Sequence, residues 1–132
     1  MINRFNPDTI AAPFTAYSQG VEVQTGARTI YVAGQVGVYP DGTLAEGMAA
    51  QTAQAWRNVE AILKAKGMDL HDLVETRTYI TNRDDIPGYR EGRAEVFGTG
   101  DDGPRPAAAM LLVAGLAQPA WKIEICAVAA KA

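Results

Sequence analysis

The stretch 122-KIEICAVAA-130, close to the end of the chain, decides the fold. It is typical of a β-strand, because residues of one kind recur at every second position. One face of this strand is apolar throughout and carries Ile123, Ile125, Ala127 and Ala129. The other face is mixed and carries Glu124, Cys126 and Val128. The first face predicts a core covered by helices, whereas the second is a poor solvent surface and predicts contact with another copy of the chain.

Two further strands are predicted in the first third of the chain. Residues 17–23 (YSQGVEV) and 28–38 (RTIYVAGQVGV) are rich in the β-branched and aromatic residues that strands favour. The sequence TGA between them contains a glycine and predicts a hairpin connection. YPDG at 39–42 predicts a tight turn after the second of these strands.

The clearest helix extends from Met48 to Lys66 and is expected to end at Gly67. Its apolar residues recur at helical spacing and form one stripe: Ala49, Ala53, Trp56, Val59, Ile62 and Leu63. Polar residues are expected mostly on the other side: Gln51, Gln54, Arg57, Asn58 and Lys64. The remaining predicted elements are a strand at 74–80, a helix at 86–97, a strand at 107–114 and the closing strand at 122–130.

The order β-β-α-β-α-β-β predicts an α+β fold, in which two helices cover one face of a single mixed sheet. No internal repeat or linker is visible, so residues 1–132 are predicted to form one domain. The helices would cover the face of Ile123 and Ile125. The mixed face would then stay open in one chain, with Glu124 in its centre, and we expect a homo-oligomer to bury it.

Composition and charge limit the classes of partner. The 132 residues carry a net charge of −3, and no run of five basic residues occurs, so we expect no nucleic-acid binding. The first residues lack a signal-peptide pattern and the apolar run 107–117 is too short to cross a bilayer, which predicts a cytoplasmic protein without membrane contact. With Cys126 as its one cysteine, the chain is expected to hold no disulfide and no metal.

Four segments together resemble the Rid/YjgF family of reactive-intermediate deaminases. They are YSQGV (17–21), IYVAGQVG (30–37), the long helix with its following strand (49–81) and RPAAAMLLVAGLAQPAWKIEICAVA (105–129). The resemblance covers nearly the whole chain. It implies a chorismate-mutase-like α+β fold and a homotrimer whose three sheets form a central barrel. It also implies binding sites for small carboxylated metabolites in the clefts between subunits.

The activity that this resemblance implies is hydrolysis of reactive enamines and imines to 2-keto acids and ammonia, with no cofactor or metal. Such chemistry needs a cation for the substrate carboxylate and a carboxyl group that handles water. By the resemblance, Glu124 is the water-handling carboxylate and Tyr17 lines the pocket. Gly34 and Gln35 correspond to the Gly-Gln pair that closes the pocket wall.

The arginine that binds the carboxylate in this family lies inside the strand, and here the register read back from KIEI puts Ala108 at its place. Placing Arg105 there would force three extra residues into a buried strand and turn its side chains to the wrong face. Arg105, at the entry of the strand, and Arg77, on the mixed face of its strand, are therefore the candidate replacement cations. Met110 stands where many members carry a cysteine, and Arg90 where an asparagine is common.

Two functions from different classes remain open. The first is a hydrolase of imines or enamines with altered substrate binding. The second is a non-catalytic trimer that senses or sequesters a small carboxylated metabolite. A ribonuclease is not expected, because His71 is the one histidine and no basic stripe accompanies it.

Overall fold

The computed structural model describes residues 2–132. It contains six strands, two α-helices and two short 3₁₀ turns. The strands are β1 (Ile2–Phe5), β2 (Gly20–Val23), β3 (Arg28–Gln35), β4 (Leu73–Ile80), β5 (Ala107–Leu112) and β6 (Ile123–Lys131). The helices are α1 (Met48–Lys64) and α2 (Ile86–Phe97), and the 3₁₀ turns are Leu70–Asp72 and Arg83–Asp85. Predicted and observed boundaries differ by at most three residues.

The main sheet has the strand order β3-β6-β4-β5. β6 runs antiparallel to both of its neighbours, whereas β4 and β5 are parallel, so the sheet is mixed as predicted. The buried core lies on the Ile123 face, under the two helices. The predicted α+β architecture, with both helices on one face, is confirmed.

The predicted hairpin between β2 and β3 is wrong. β2 pairs with β1 in a separate two-stranded ribbon, and β3 pairs with β6. The connection is a four-residue turn closed by the Ala27 N–H donating to Gln24 O at 3.4 Å. Only Gly26 in this turn has a positive φ, of 94°, and such a turn splays its flanking strands instead of pairing them.

Helix α1 carries the largest part of the core. Trp56 is 1% exposed and its ring centroid lies 4.6 Å from that of Phe97 on α2. The helix ends at Lys64, and Gly67, whose φ is 75°, turns the chain three residues later. The Gly67 N–H donates to Lys64 O at 3.1 Å and the Met68 N–H to Leu63 O at 3.0 Å, which satisfies two of the terminal carbonyls. Neither α1 nor α2 combines the length and apolarity that crossing a membrane requires.

One residue expected on the polar side of α1 is buried. Gln51 is 2% exposed, because its side-chain amide is used twice inside the protein. Its Nε2 donates to Ala120 O at 3.2 Å and its Oε1 accepts the Lys122 N–H at 2.9 Å. These bonds satisfy the buried amide and attach the start of β6 to α1. They fix the strand two residues before Glu124.

The second face of the main sheet is open, as the alternation in β6 predicts. Tyr31 of β3 is 80% exposed there and pairs in register with Val128 of β6. Glu124, Cys126 and Val128 lie on this face, partly exposed, while Ile123 and Ile125 point into the core. Large apolar side chains are rarely left in contiguous exposed patches on a monomer. We refer to this surface, on β3, β6 and β4, as the open face.

Candidate functional site

The carboxylate of Glu124 lies on the open face, where it extends over β3. A Cβ atom at Gly34 would overlap Glu124 Oε2, so the two residues are in direct contact. Gly34 belongs to a β-bulge, because Ala33 and Gly34 together face the single residue Cys126. Bulges redirect side chains and often lie beside active sites. The glycine leaves the space that the carboxylate occupies.

Arg77 also lies on the open face, but it faces another carboxylate. Its Nε is 3.6 Å from Glu75 Oε1, and both side chains are about half exposed. Exposed pairs of this kind contribute little to stability. Arg77 is the register partner of Cys126. Burial and the negative charge of Glu124 raise the pKa of the Cys126 thiol, and Arg77 opposes them.

A cavity of about 410 Å³ lies on the opposite side of the sheet, between α2, β4, the edge strand β5 and the segment 14–17. Aromatic and apolar side chains form most of its wall: Phe14, Tyr17, Trp56, Tyr89, Phe97, Ala108 and Met110. Thr76 and Thr78 of β4 contribute polar groups. Its size and lining are those of a small-molecule site. Two of the predicted site residues, Tyr17 and Met110, therefore belong to this cavity.

The segment 14–17 is held against β5 by the residue that follows it. The Ser18 N–H donates to Pro106 O at 3.0 Å, and the Ser18 hydroxyl donates to the Arg105 carbonyl oxygen. The hydroxyl of Tyr17 accepts the N–H of Phe14 at 3.4 Å. These contacts place the Tyr17 ring at the cavity wall.

The cations of this cavity come from α2. Arg90 and Arg93 both line it, and its lining contains no acidic side chain. Arg93 Cζ lies 4.3 Å from the centre of the Phe97 ring, and its Nη2 donates to Ala16 O at 3.3 Å. Burial lowers the pKa of Arg93, Tyr89 opposes this shift, and the charge of Arg105 acts in the same direction as burial. Burial likewise raises the pKa of Tyr89, which the charge of Arg93 opposes.

Arg105 lies beside a smaller cavity of about 190 Å³. Its guanidinium is bonded to its own loop: Nη1 donates to Gly103 O at 3.3 Å and to Pro104 O at 3.2 Å, and Nη2 donates to Asp101 O at 3.2 Å. The two cavities share Ala16, Arg93 and Phe97, so they are adjacent. Arg105 is therefore near the larger cavity without lining it.

The predicted site residues thus fall into two groups on opposite sides of one sheet. Glu124, Gly34 and Arg77 occupy the open face, and Tyr17 and Met110 line the larger cavity, with Arg105 next to it. One chain does not bring Glu124 and the cavity together.

Arg93 was not among the residues predicted for the site. Tyr89, Arg93 and Phe97 follow one another at intervals of four residues, so they share one side of α2. The sequence does show a charged residue between two aromatic residues on one side of the helix. This pattern alone does not distinguish an arginine that binds a ligand from one whose aliphatic stem covers apolar surface.

The sequence is similar to one family of known proteins. A family model described as Endoribonuclease L-PSP matches residues 9–131. The 2-iminobutanoate/2-iminopropanoate deaminase of Rattus norvegicus is 39% identical over 120 residues, which cover 89% of this chain and 82% of the relative. The protein of the same name from Escherichia coli is 33% identical over 116 residues, 87% of each chain.

Solved structures of the family share the fold over nearly the full length. A Rid-family protein from Yersinia pestis superposes with a TM-score of 0.78, at 29% identity and 97% coverage of both chains. RidA from an Antarctic Psychrobacter superposes with a TM-score of 0.67, at 30% identity, covering 96% of this chain and 98% of that one. The matched family model and these relatives establish that this chain belongs to the Rid/YjgF family, the Endoribonuclease L-PSP family of the matching model.

Proposed function

We propose that this protein hydrolyses the C=N bond of 2-imino acids, giving 2-keto acids and ammonia, and that it works as a homotrimer. The observation that carries the proposal is the contact between Glu124 and Gly34, at the end of the open face where β3 ends and β6 begins. The glycine and the β-bulge leave room for this carboxylate on a partly apolar surface, where it forms no salt bridge within residues 2–132. The name shared by the curated relatives, 2-iminobutanoate/2-iminopropanoate deaminase, supports the same chemistry.

The proposed reaction needs only water and the imine. Glu124 accepts a proton from a water molecule as the water oxygen bonds to the carbon of the protonated imine, which gives a carbinolamine. Glu124 then passes this proton to the nitrogen, the hydroxyl proton moves to Glu124, and the C–N bond breaks as ammonia leaves with the electron pair. A keto group remains on the carbon. Enamines enter the same sequence after tautomerising to imines.

The two halves of the site are proposed to meet between subunits. The open face presents Tyr31 and Val128, apolar groups that a second copy would bury. Glu124 of the partner subunit would then reach the cavity between α2 and β5. A closed ring of three chains leaves every open face covered, and each cleft receives one carboxylate and one cavity.

The test uses an amino-acid oxidase to generate 2-imino acids in place, with semicarbazide to trap whatever is not hydrolysed. We expect the wild-type protein to lower the semicarbazone yield and Glu124→Gln to lose this effect while it keeps its oligomeric state by light scattering. Glu75→Gln is the matched control, because it removes a carboxylate from the same face that contacts Arg77 and not Gly34. Full activity of Glu124→Gln would contradict the proposal.

A second candidate is a trimer that binds a small carboxylated metabolite without turnover. The observation that favours it is Ala108, which lines the cavity at the position where the sequence register places the family arginine. Saturable binding of a 2-keto acid by calorimetry, with no acceleration of any imine, would favour this second function.

A further inference from the structure

The cavity between α2 and β5 has a charge pattern that one class of ligand matches. Its body is lined by aromatic and apolar side chains, and both of its charged residues, Arg90 and Arg93, are cationic. No acidic side chain of residues 2–132 forms a salt bridge with either of them. An apolar pocket with cations at one end suits an apolar molecule that carries one anionic group.

Arg93 is the better placed of the two cations. Its guanidinium carbon lies 4.3 Å from the centre of the Phe97 ring, and a hydrogen bond to Ala16 O positions it further. The guanidinium has five N–H donors, of which one bonds to a backbone oxygen within residues 2–132 and another faces the Tyr89 hydroxyl. The remaining donors are available to a ligand. Arg90, by comparison, is exposed on the same helix.

The cations predicted from the sequence are occupied elsewhere. Arg105 donates to three carbonyl oxygens of its own loop, and Arg77 faces Glu75 on the opposite side of the sheet. Arg105 still contributes, since its positive charge lies close enough to Arg93 to lower the pKa of that residue. An anion at the junction of the two cavities would relieve this repulsion.

The wall opposite α2 leaves room for a sizeable side chain. Ala108 and Met110 of β5 line the cavity there, and Ala108 has no side chain beyond Cβ to fill it. Within one chain the cavity has a volume of about 410 Å³, several times what a three-carbon imino acid occupies. The cavity wall also includes Trp56, whose buried Nε1–H has no acceptor within residues 2–132. An unpaired buried donor is costly, and a polar atom of a ligand or water could satisfy it.

We infer that Arg93 of α2 binds the substrate carboxylate at the junction of the two cavities, and that the larger cavity receives an apolar or aromatic side chain. The preferred substrates are then 2-imino acids derived from amino acids such as phenylalanine or leucine. This inference rests on the proposed function for its reaction, but not for its binding geometry. It moves the carboxylate-binding cation from the strand to the opposing helix.

The experiment measures steady-state kinetics with imines that D-amino-acid oxidase forms from D-alanine, D-leucine and D-phenylalanine. We expect the phenylalanine imine to exceed the alanine imine in kcat/KM by about tenfold or more. Arg93→Met keeps the aliphatic stem, and we expect it to raise KM about 10- to 100-fold with little change in kcat. Arg83→Met, in the exposed 3₁₀ turn before α2, is the matched control and should leave KM unchanged.

A second variant tests the position of the anion. Ala108→Arg combined with Arg93→Met places a cation on the strand instead of the helix. We expect this double variant to recover a low KM for the alanine imine but not for the phenylalanine imine, because the new side chain fills the cavity. A double variant no better than Arg93→Met on either imine would contradict the exchange of cations between the two walls.

Failure of this inference is distinguishable from failure of the proposed function. If Glu124→Gln abolishes turnover while Arg93→Met leaves KM unchanged, the hydrolase survives and the Arg93 assignment falls. If the wild-type protein hydrolyses no imine, calorimetry with phenylpyruvate decides instead. Binding that weakens about tenfold or more in Arg93→Met then supports the assignment. Equal binding by both proteins, or binding by neither, overturns it.

Discussion

The carboxylate of Glu124 lies against Gly34 and fills the position where any other residue at 34 would place its Cβ. The contact joins two strands at the one bulge between β3 and β6. Because the carboxylate is the flexible partner, a larger residue at 34 would displace the side chain of Glu124 and not the backbone. The glycine is therefore a positioning residue for Glu124.

Gly34→Ala tests this relationship directly. The added methyl should push the carboxylate away from its position and lower kcat for imine hydrolysis by about 100-fold, with the thermal unfolding temperature nearly unchanged. Gly115→Ala is the control, since a Cβ at Gly115 meets nothing within 4 Å. Activity of Gly34→Ala equal to that of the control would mean that the position of Glu124 is not critical.

The open face supports a prediction about assembly. Val128→Glu places a charge in the centre of the surface proposed to join subunits, and we expect the trimer to dissociate into folded single chains. Light scattering gives the mass, and circular dichroism confirms that the fold is kept. Ala61→Glu introduces the same charge on the exposed side of α1 and should leave the assembly intact. A Val128→Glu protein of unchanged mass would show that another surface is responsible, or none.

Cys126 reports the charges around Glu124. Because burial and Glu124 raise the pKa of this thiol and Arg77 lowers it, the two neighbours should act with opposite signs. We expect Glu124→Gln to lower the pKa of Cys126 and Arg77→Met to raise it. The Cβ chemical shift of this one cysteine, followed by NMR against pH, gives both shifts. Shifts of the same sign would contradict the arrangement of charges on the open face.

Arg105 is expected to stabilise its loop and to contribute less to binding than Arg93. Arg105→Met removes three hydrogen bonds to backbone carbonyl oxygens at residues 101, 103 and 104. The side chain is partly exposed, so we expect a loss of about 1 kcal/mol in the free energy of unfolding, measured by denaturant titration at fixed protein concentration. KM should rise less than in Arg93→Met. A larger rise in KM for Arg105→Met would make Arg105 the principal carboxylate ligand.

Periodicity predicted most of the fold. The alternation in 122–130 correctly separated the core face from the open face, and the helical stripe in α1 correctly placed Trp56 in the core. Whether β2 and β3 pair as a hairpin could not be predicted from periodicity. A single glycine in the turn does not distinguish a primed turn, which pairs strands, from a type II turn, which separates them.

The site was predicted only in part, because it depends on which elements face each other. Glu124 and Gly34 could be named from the resemblance, and the structure places them in contact. The role proposed for Arg93 could not be recognised, since it depends on Phe97, on Ala16 and on the small side chain of Ala108, which come together only after folding. Contacts between distant segments leave no periodic signal in the sequence.

Mixed trimers test whether each site combines the open face of one subunit with the cavity of another. Glu124→Gln and Arg93→Met chains are co-expressed with different affinity tags, purified through both tags and assayed at substrate concentrations well below KM. Each parent alone should be nearly inactive. Purification through both tags retains only mixed trimers, and each of these has one site of three in which an intact Glu124 meets an intact Arg93, so activity should return at about one third of the sites. Activity that remains at the level of the two parents would place both residues in a site within one subunit, or in no common site, and would contradict the account.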